Sequence, residues 1–452
     1  MTDSEHVEEA AQLQPPLAVG GQIKRRVVLA WGLWDWGSSA YSAVITSFVF
    51  GPYVVRGVVG NTEPGGLTAN TWLGISTAAA GLLVAAIAPI TGQRADAGGH
   101  RKRNLAIWSG LVIVVMLAMF SVRNDPSYLW IALVLLAAGA VFQEFAVVSY
   151  NAMLPQVSTP DTVGRVSGFG WAMGYFGGIF LLLICYVGFI APDVGWFGVT
   201  SAGGLNIRAV VIFSAIWFAI FAIPVLVAVP ESPPGPKRRR VGFFASYRLL
   251  VNDIKALFRR DRNSVYFLLA SALYRDGLAA IFSFGAILAV SVYGLAQSSV
   301  LIFGIAANVV AALGALTMGA IEDRIGPKKV IMISLIGLIS TAVILLFAHG
   351  AAMFWIFGLI LTLWVGPAQS SSRSFMARIA PVGREGEMFG LYATTGRAAS
   401  FLAPALFALF SGLFTDRVGI VGIILVLLAG AVALAGVKSP PRQQVQVSEY
   451  RA

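Results

Sequence analysis

The chain has 452 residues, of which 57% are hydrophobic and only 12% are charged, with a formal net charge of +11. A soluble domain is about half apolar and one-quarter charged, so this composition excludes a water-soluble globule. It also excludes a disordered chain, which would be polar. A membrane-spanning helix takes about 20 apolar residues, and the apolar content here suffices for about twelve.

The chain begins with a polar segment. Residues 1–23 contain Asp3, Glu5 and Glu8 and then the pair Pro15-Pro16, with no apolar stretch typical of a signal peptide. We expect residues 1–23 to be a disordered cytoplasmic tail.

Twelve apolar spans follow in the sequence. Their predicted limits are 27–50, 70–91, 104–122, 128–152, 166–189, 208–229, 264–290, 298–319, 329–348, 352–376, 388–411 and 418–437. The long connection 230–262 divides them into bundles of six, at 24–229 and 263–438, with a cytoplasmic tail at 439–452. The predicted fold is therefore an all-α membrane protein of two pseudo-symmetric six-helix bundles.

Basic residues indicate the orientation in the membrane. With the N-terminus placed inside, the outer loops contain only Arg56, Arg123, Arg208 and Arg417, and most other Lys and Arg residues lie inside. Lys and Arg collect in cytoplasmic loops, so both termini are predicted to be cytoplasmic. The compact length and short loops favour a bacterial cytoplasmic membrane, and we expect a monomer.

The central linker is strongly basic. From Lys237 to Arg262 aromatic and apolar residues alternate with basic ones. This pattern favours an amphipathic helix lying on an anionic inner leaflet at residues 237–262. The alternative is an ordinary basic linker; binding of nucleic acid is not expected.

A short motif occurs in both halves. Gly92–Asp96 lies between spans 2 and 3, and Gly319–Asp323 lies between spans 8 and 9. Each is followed by a glycine and basic residues, among them Arg101 in the first copy. The repetition indicates an internal duplication, and both motifs are predicted to lie in loops.

This motif resembles the loop signature of the major facilitator superfamily. In that superfamily the carboxylate caps a nearby helix start, which carries partial positive charge, and holds the cytoplasmic gate closed. The resemblance implies gate roles for Gly92, Asp96, Arg101, Gly319, Asp323, Arg324 and Gly326. The alternative is a polar turn flanked by basic residues.

A narrower resemblance rests on several motifs together. They are Trp34–Tyr41, Gly164–Tyr175, Tyr274–Gly277, Gln369, Ser372–Ser374, Gly383–Glu385, Phe389–Tyr392 and Phe401–Pro404. Together they resemble the autophagy-related vacuolar amino-acid effluxer family and its bacterial relatives. The resemblance implies a major facilitator fold and amino-acid export.

Six ionisable residues lie within spans, where a charge is expensive and is by default a functional candidate. Asp35 and Asp276, with Glu144 third, are candidates for a coupling proton or a substrate amine. The candidates for a substrate anion are Arg397 first, with Arg275 and Arg373. The alternative for each is a satisfied structural pair, and for Arg373 a side chain that snorkels to the interface.

A polar stripe accompanies Asp35. Ser38, Ser39 and Ser42 recur on one helix face and predict the wall of a wet cavity, the alternative being a hydrogen-bonded helix seam. Four further residues are predicted on this wall: Trp34, Trp36, Tyr274 and Gln369. For the tryptophans the alternative is the aromatic belt of the membrane interface.

These observations predict a secondary active transporter of a small polar solute, an amino acid, exported by proton-coupled alternating access. The alternatives are an exporter of drugs or other amphiphiles, or a lipid scramblase or flippase on the same fold. An enzyme is not expected, because the sequence contains no metal-ligand cluster or phosphate-binding loop. No cofactor or metal is expected; the partners are the solute, protons and the lipid bilayer.

Overall fold

The computed structural model describes residues 18–19, 22–60, 62–231, 259 and 261–440. This part of the chain contains 12 helices long and apolar enough to cross a membrane. They are α1 (Arg25–Val59), α2 (Ala69–Gly98), α3 (Arg101–Met119), α4 (Leu129–Ala152), α5 (Val163–Cys185), α6 (Leu205–Ala228), α7 (Arg262–Ser291), α8 (Gln297–Ile325), α9 (Pro327–Phe347), α10 (Ala351–Ile379), α11 (Glu385–Leu413) and α12 (Asp416–Ala435).

Polar side chains cap the start of several helices. Thr68 accepts a hydrogen bond from the amide of Thr71 (3.3 Å) before α2, and Asp261 accepts one from the amide of Ser264 (3.3 Å) in α7. These oxygens satisfy amides that have no partner within the helix. Thr68 and Asp261 therefore stabilise the starts of α2 and α7.

Two helices extend further than predicted, which corrects the placement of the repeated motif. Gly92–Asp96 lies within α2 and Gly319–Asp323 lies within α8, rather than in the loops that follow. A helix can continue past the apolar stretch because its backbone groups remain paired within it. The turns come only at Gly99 (φ 63°) and Gly326 (φ 89°), where glycine tolerates a positive φ.

Two helices are irregular. In α1 the segments Ala40–Phe48 and Val54–Val59 are π-helical, and α11 consists of two α-helical segments, Glu385–Ala399 and Leu402–Leu413. Local π-helix is frequent at functional sites, and interrupted helices are typical of substrate sites in membrane proteins.

The helices form two bundles, α1–α6 and α7–α12. Trp31, Trp34 and Tyr150 lie in the apolar core of the first bundle, whereas Tyr274 and Phe375 lie in the core of the second. Across the interface α2 packs on α11, and α5 packs on α8 and α10. These contacts bring the two copies of the motif to one end of the molecule, called here the gate end.

Three predicted segments fall mainly outside the described residues. They are the N-terminal tail at 1–23, the surface helix at 237–262 and the C-terminal tail at 439–452. At the end of the predicted disordered tail, Ala18–Val19 pairs antiparallel with Gln22–Ile23.

Candidate functional site

At the gate end, the first copy of the motif joins α2 to the start of α11; we call this contact the first latch. Asp96 accepts hydrogen bonds from the amides of Gly386 (3.0 Å) and Glu387 (2.8 Å). Arg101 lies between two carboxylates, 2.8 Å from Asp96 and also in contact with Glu385. A carboxylate of one bundle thus caps a helix of the other, where the helix dipole favours negative charge.

The second copy joins α8 to the start of α5; we call this contact the second latch. Asp323 accepts hydrogen bonds from the amides of Gly164 (2.9 Å) and Arg165 (3.2 Å). Arg378 of α10 lies 3.8 Å from Glu322 and 3.9 Å from Asp323. The two latches are related by the internal repeat, and both close the same end of the molecule.

Glycines let the backbones of the two bundles touch between the latches. A Cβ atom on Gly92 would overlap the carbonyl oxygen of Gly386, and one on Gly168 would overlap that of Ala315. Gly319 packs against Gly164 and Gly168, so the gate-end interface has almost no side chains at these points. Small residues are what allow such close helix approach in membranes. Arg324 is exposed at the end of α8.

Further from the gate end, the side chain of Arg373 on α10 reaches from the second bundle into the first bundle. We call Arg373 and the residues that it contacts the Arg373 cluster. Arg373 is 4% exposed and its guanidinium lies 3.2 Å from Asp35. It also donates to Asn151 Oδ1 (3.3 Å), to Ser167 Oγ (3.0 Å) and to Ser167 O (2.6 Å). Tyr150 donates to the same Asp35 oxygen (2.9 Å). Arg373 therefore does not snorkel: it holds the two bundles together.

Aromatic rings surround the same guanidinium. Its Cζ lies 4.9 Å from the ring centre of Trp31, 5.7 Å from Tyr150 and 5.5 Å from Trp171. Cation–π attraction is strongest where the cation is desolvated, as here. The planar guanidinium can use all these partners at once, which a lysine ammonium could not.

A second charge pair also joins the bundles. Arg397 of α11 lies 2.5 Å from Glu144 of α4, and the Arg397 side chain is 39% exposed. Arg275 adds a further positive charge near Glu144, with its guanidinium 3.8 Å from the ring centre of Tyr392. This pair is thus more accessible than the Arg373 cluster, and it presents one negative and two positive groups.

Asp276 is placed differently from these pairs. It is 4% exposed, and one carboxylate oxygen accepts a hydrogen bond from the amide of Ala403 (2.6 Å), at the start of the second segment of α11. Asp276 and Ala403 belong to the same bundle, so this contact is a helix cap within it.

The cap leads to a prediction for Asp276. Asp276→Ala is expected to lower the free energy of unfolding by about 1 kcal/mol, because the Ala403 amide loses its acceptor. Asp276→Asn keeps an oxygen acceptor, so we expect normal stability and the same transport as in the parent protein. Thermal unfolding and proteoliposome transport measure the two effects. Loss of gradient-driven transport with intact exchange in Asp276→Asn would instead identify Asp276 as the coupling proton site.

The residues predicted on a cavity wall are placed in three environments. Trp34 is fully buried inside the first bundle, stacked on Tyr150 at 4.3 Å and bonded to Ser109 at 3.0 Å, so it does not reach a wall. Trp36 packs against aromatic rings of α5 and α6. The hydroxyls of Ser38, Ser39 and Ser42 all donate to backbone oxygens within α1, and of the three only Ser42 is exposed.

The two remaining wall candidates lie on or near α10. Tyr274 is buried and bonded to Ser372 (2.5 Å), which Tyr392 also contacts (2.7 Å). Gln369 accepts a hydrogen bond from Tyr175 of α5 (2.8 Å), across the two bundles. Of this pair, Gln369 is therefore at the interface and Tyr274 is not.

Several contact residues are not among the site residues predicted from the sequence, although Ser167 and Glu385 lie in motifs that carry the family resemblance. They are Tyr150, Asn151, Ser167, Glu322, Arg378 and Glu385. The available signal was a serine-rich run around Arg373 in an apolar span, from Ser370 to Ser374, which is unusual for a lipid-facing helix. The partners themselves come from other helices, and their sequence distance hides them.

Twelve spanning helices in two related bundles, joined by paired motifs at one end, define a transporter of the major facilitator superfamily. The family described as "Vacuole effluxer Atg22 like" matches residues 68–440, most of the chain, and the protein belongs to that family. Its relatives and structural neighbours are transporters and not enzymes.

Two curated relatives illustrate the match. The chain is 27% identical over 432 residues to the uncharacterized MFS-type transporter YxiO of Bacillus subtilis, covering 93% of this chain and 96% of YxiO. It is 26% identical over 304 residues to autophagy-related protein 22-1 of Neosartorya fischeri, covering 60% of this chain and 48% of that protein. The match thus spans about half the length of the fungal protein.

A solved structure supports the fold. The proton:xylose symporter XylE, bound to a bromodeoxyglucose, superposes with a TM-score of 0.71 over 92% of this chain and 96% of XylE, at 14% identity. At that identity the similarity concerns the fold alone.

Proposed function

We propose that this protein exports amino acids in exchange for protons by alternating access, as a monomer in a bacterial cytoplasmic membrane with both termini inside. The fold and the family support transport, and the family description "effluxer" supports export. The gate end carries the basic loops, and the positive-inside rule therefore supports a cytoplasmic position for it. The conformation with both latches formed is then closed to the cytoplasm.

The accessible Glu144–Arg397 pair carries the proposal for an amino acid. A zwitterionic amino acid has one carboxylate and one ammonium group, the complements of Arg397 and Glu144. When such a solute separates the two side chains, its carboxylate pairs with Arg397 and its ammonium with Glu144. Every charge keeps a partner, so the exchange avoids the free energy of leaving an unpaired charge out of water.

The Arg373 cluster provides the proposed proton coupling. Opening the gate end requires Arg373 to leave Asp35, because the two residues belong to different bundles. A proton on Asp35 removes its charge and weakens this contact, which favours opening. A proton that enters from outside and leaves to the cytoplasm would then drive one outward movement of solute.

Transport in proteoliposomes tests the proposal. We expect counterflow of one class among a panel of radiolabelled amino acids, and accumulation when a pH gradient is imposed. Absence of counterflow for every amino acid, with folded protein, contradicts the amino-acid assignment; transport of a dye or of a labelled lipid under the same conditions would favour the alternatives.

Variants of the accessible pair sharpen the test. Glu144→Gln and Arg397→Gln are each expected to reduce counterflow more than about tenfold, because each leaves one solute charge and one protein charge unpaired. The charge exchange Glu144→Arg with Arg397→Glu restores a pair but not its orientation, and we expect no recovery. Glu63→Gln, in an exposed loop, is the matched control and should leave counterflow unchanged. Normal counterflow in both single variants would contradict the assignment of this pair.

A further inference from the structure

Glu322 is a buried carboxylate that the mechanism above does not use. Its exposed fraction is 0%, and it lies on α8 at the interface with the first bundle. Ser374 of α10 donates a hydrogen bond to its Oε1 atom. Its Oε2 atom has no hydrogen-bond partner among the described residues. Arg378 is 3.8 Å away, beyond hydrogen-bonding distance.

The neighbouring charged groups do not provide the hydrogen bond that the Oε2 atom of Glu322 lacks. On its own helix is Asp323, which is already bonded to two backbone amides of α5 and lies 3.4 Å from Arg165. On α10 is Arg378, which donates to the carbonyl of Pro160 (2.9 Å) and is almost equally distant from both carboxylates. Asp323 therefore has the hydrogen bonds that an ionised carboxylate needs, and Glu322 has fewer.

The internal repeat shows that the latch itself does not need this carboxylate. At the repeat offset the position equivalent to Glu322 in the first copy is Ala95, directly before Asp96. Asp96 caps its helix with an alanine beside it, as Asp323 does with a glutamate beside it. Glu322 is thus an addition to the second latch, and its role is separate from capping.

An ionised carboxylate without full hydrogen bonding is expensive to bury, whereas a protonated one is not. The burial of Glu322 depends on the packing of α8 against α5, since a Cβ on Gly164 would lie 2.8 Å from its side chain. Separation of these helices would expose Glu322 to water, where the ionised form is stable. We propose that Glu322 is a proton-binding site of the gate end, which holds a proton while α5 and α8 are packed and releases it when they separate.

The consequence follows from linkage. A proton that binds the closed form more tightly stabilises the closed form. Through Glu322, acid on the gate-end side should therefore favour the closed gate and a rise in pH the open one, which is opposite in sign to the proposed effect of a proton on Asp35. With one proton released, the ratio of open to closed molecules can change by up to about tenfold per pH unit. This inference rests on the proposed rocking movement but not on the identity of the solute.

The test measures the opening of the gate end directly, without solute. Spin labels are placed by Arg103→Cys and Lys329→Cys, two exposed positions at the starts of α3 and α9 in different bundles. Double electron–electron resonance gives the distance distribution at a series of pH values. The measurements are made in an Asp35→Asn background, because a proton on Asp35 would itself favour opening, and in this background we expect the population with the longer distance to grow as the pH rises. With Glu322→Gln, which resembles the protonated acid, the closed population should dominate at every pH.

Glu385→Gln is the matched control, since Glu385 is a buried glutamate of the first latch that already pairs with Arg101. It is expected to shift the balance towards the open form while keeping the pH response. A full pH response after Glu322→Gln is added to the Asp35→Asn background, or no response in that background alone, would overturn the proposal. Both results are independent of amino-acid counterflow, so they are distinct from failure of the proposed function.

Discussion

Arg373→Ala is expected to abolish transport and to lower the free energy of unfolding by about 3–5 kcal/mol, because it leaves Asp35 buried without its counter-ion. The guanidinium also serves Asn151 and Ser167, so Arg373→Lys should recover little: one ammonium cannot reach all these acceptors. Counterflow measures transport, and thermal or denaturant unfolding in detergent measures stability.

Two further variants separate charge from bulk at this cluster. Asp35→Asn combined with Arg373→Ala removes both charges, and we expect it to regain much of the stability but none of the proton-driven transport. Arg165→Ala is the matched control for loss of an arginine: its side chain is 64% exposed and its contact with Asp323 is 3.4 Å, so the expected change is below about 1 kcal/mol. Equal effects of Arg373→Ala and Arg165→Ala would show that the Arg373 cluster does not join the bundles.

Gly92→Ala is expected to prevent closure of the gate end and to reduce transport more than about tenfold. Its methyl group would overlap the Gly386 carbonyl, which belongs to the backbone of the other bundle and cannot move aside alone. The protein should still fold, because alanine stabilises a helix by about 1 kcal/mol relative to glycine. The same spin-label pair would report a longer distance across the gate end.

Gly81→Ala on the same helix is the control, because nothing lies within 4 Å of the Cβ position there. It should leave both the distance distribution and transport as they are in the parent protein. A normal closed population in Gly92→Ala would contradict the interface described here, since closure would then not require backbone contact.

The sequence predicts the twelve helices well because lipid imposes a simple rule. A spanning segment must be apolar and must satisfy its own backbone, and both properties are visible in a single stretch of chain. The candidate charges Asp35, Glu144 and Arg397 are visible for the same reason, since a charge in an apolar span is conspicuous.

The partners of those charges were not predictable from local patterns. Arg373 meets Asp35 from a helix 338 residues further along the chain, and only the packing of the two bundles brings them together. The helical period also failed beyond Ser39, where α1 becomes π-helical and the expected stripe through Ser42 changes direction. The burial of Trp34 inside the first bundle was not predictable either, because an amphipathic indole ring occurs both at the membrane interface and in a hydrogen-bonded protein core.

The two latches share only part of their chemistry. The capping aspartates Asp96 and Asp323 occupy equivalent positions in the repeat, but the second acid is Glu385 on α11 in the first latch and Glu322 on α8 in the second. The arginines differ as well, with Arg101 on α3 in the first latch and Arg165 and Arg378 on α5 and α10 in the second. Grafting a single charged residue from one half into the matching position of the other should therefore not reproduce its latch.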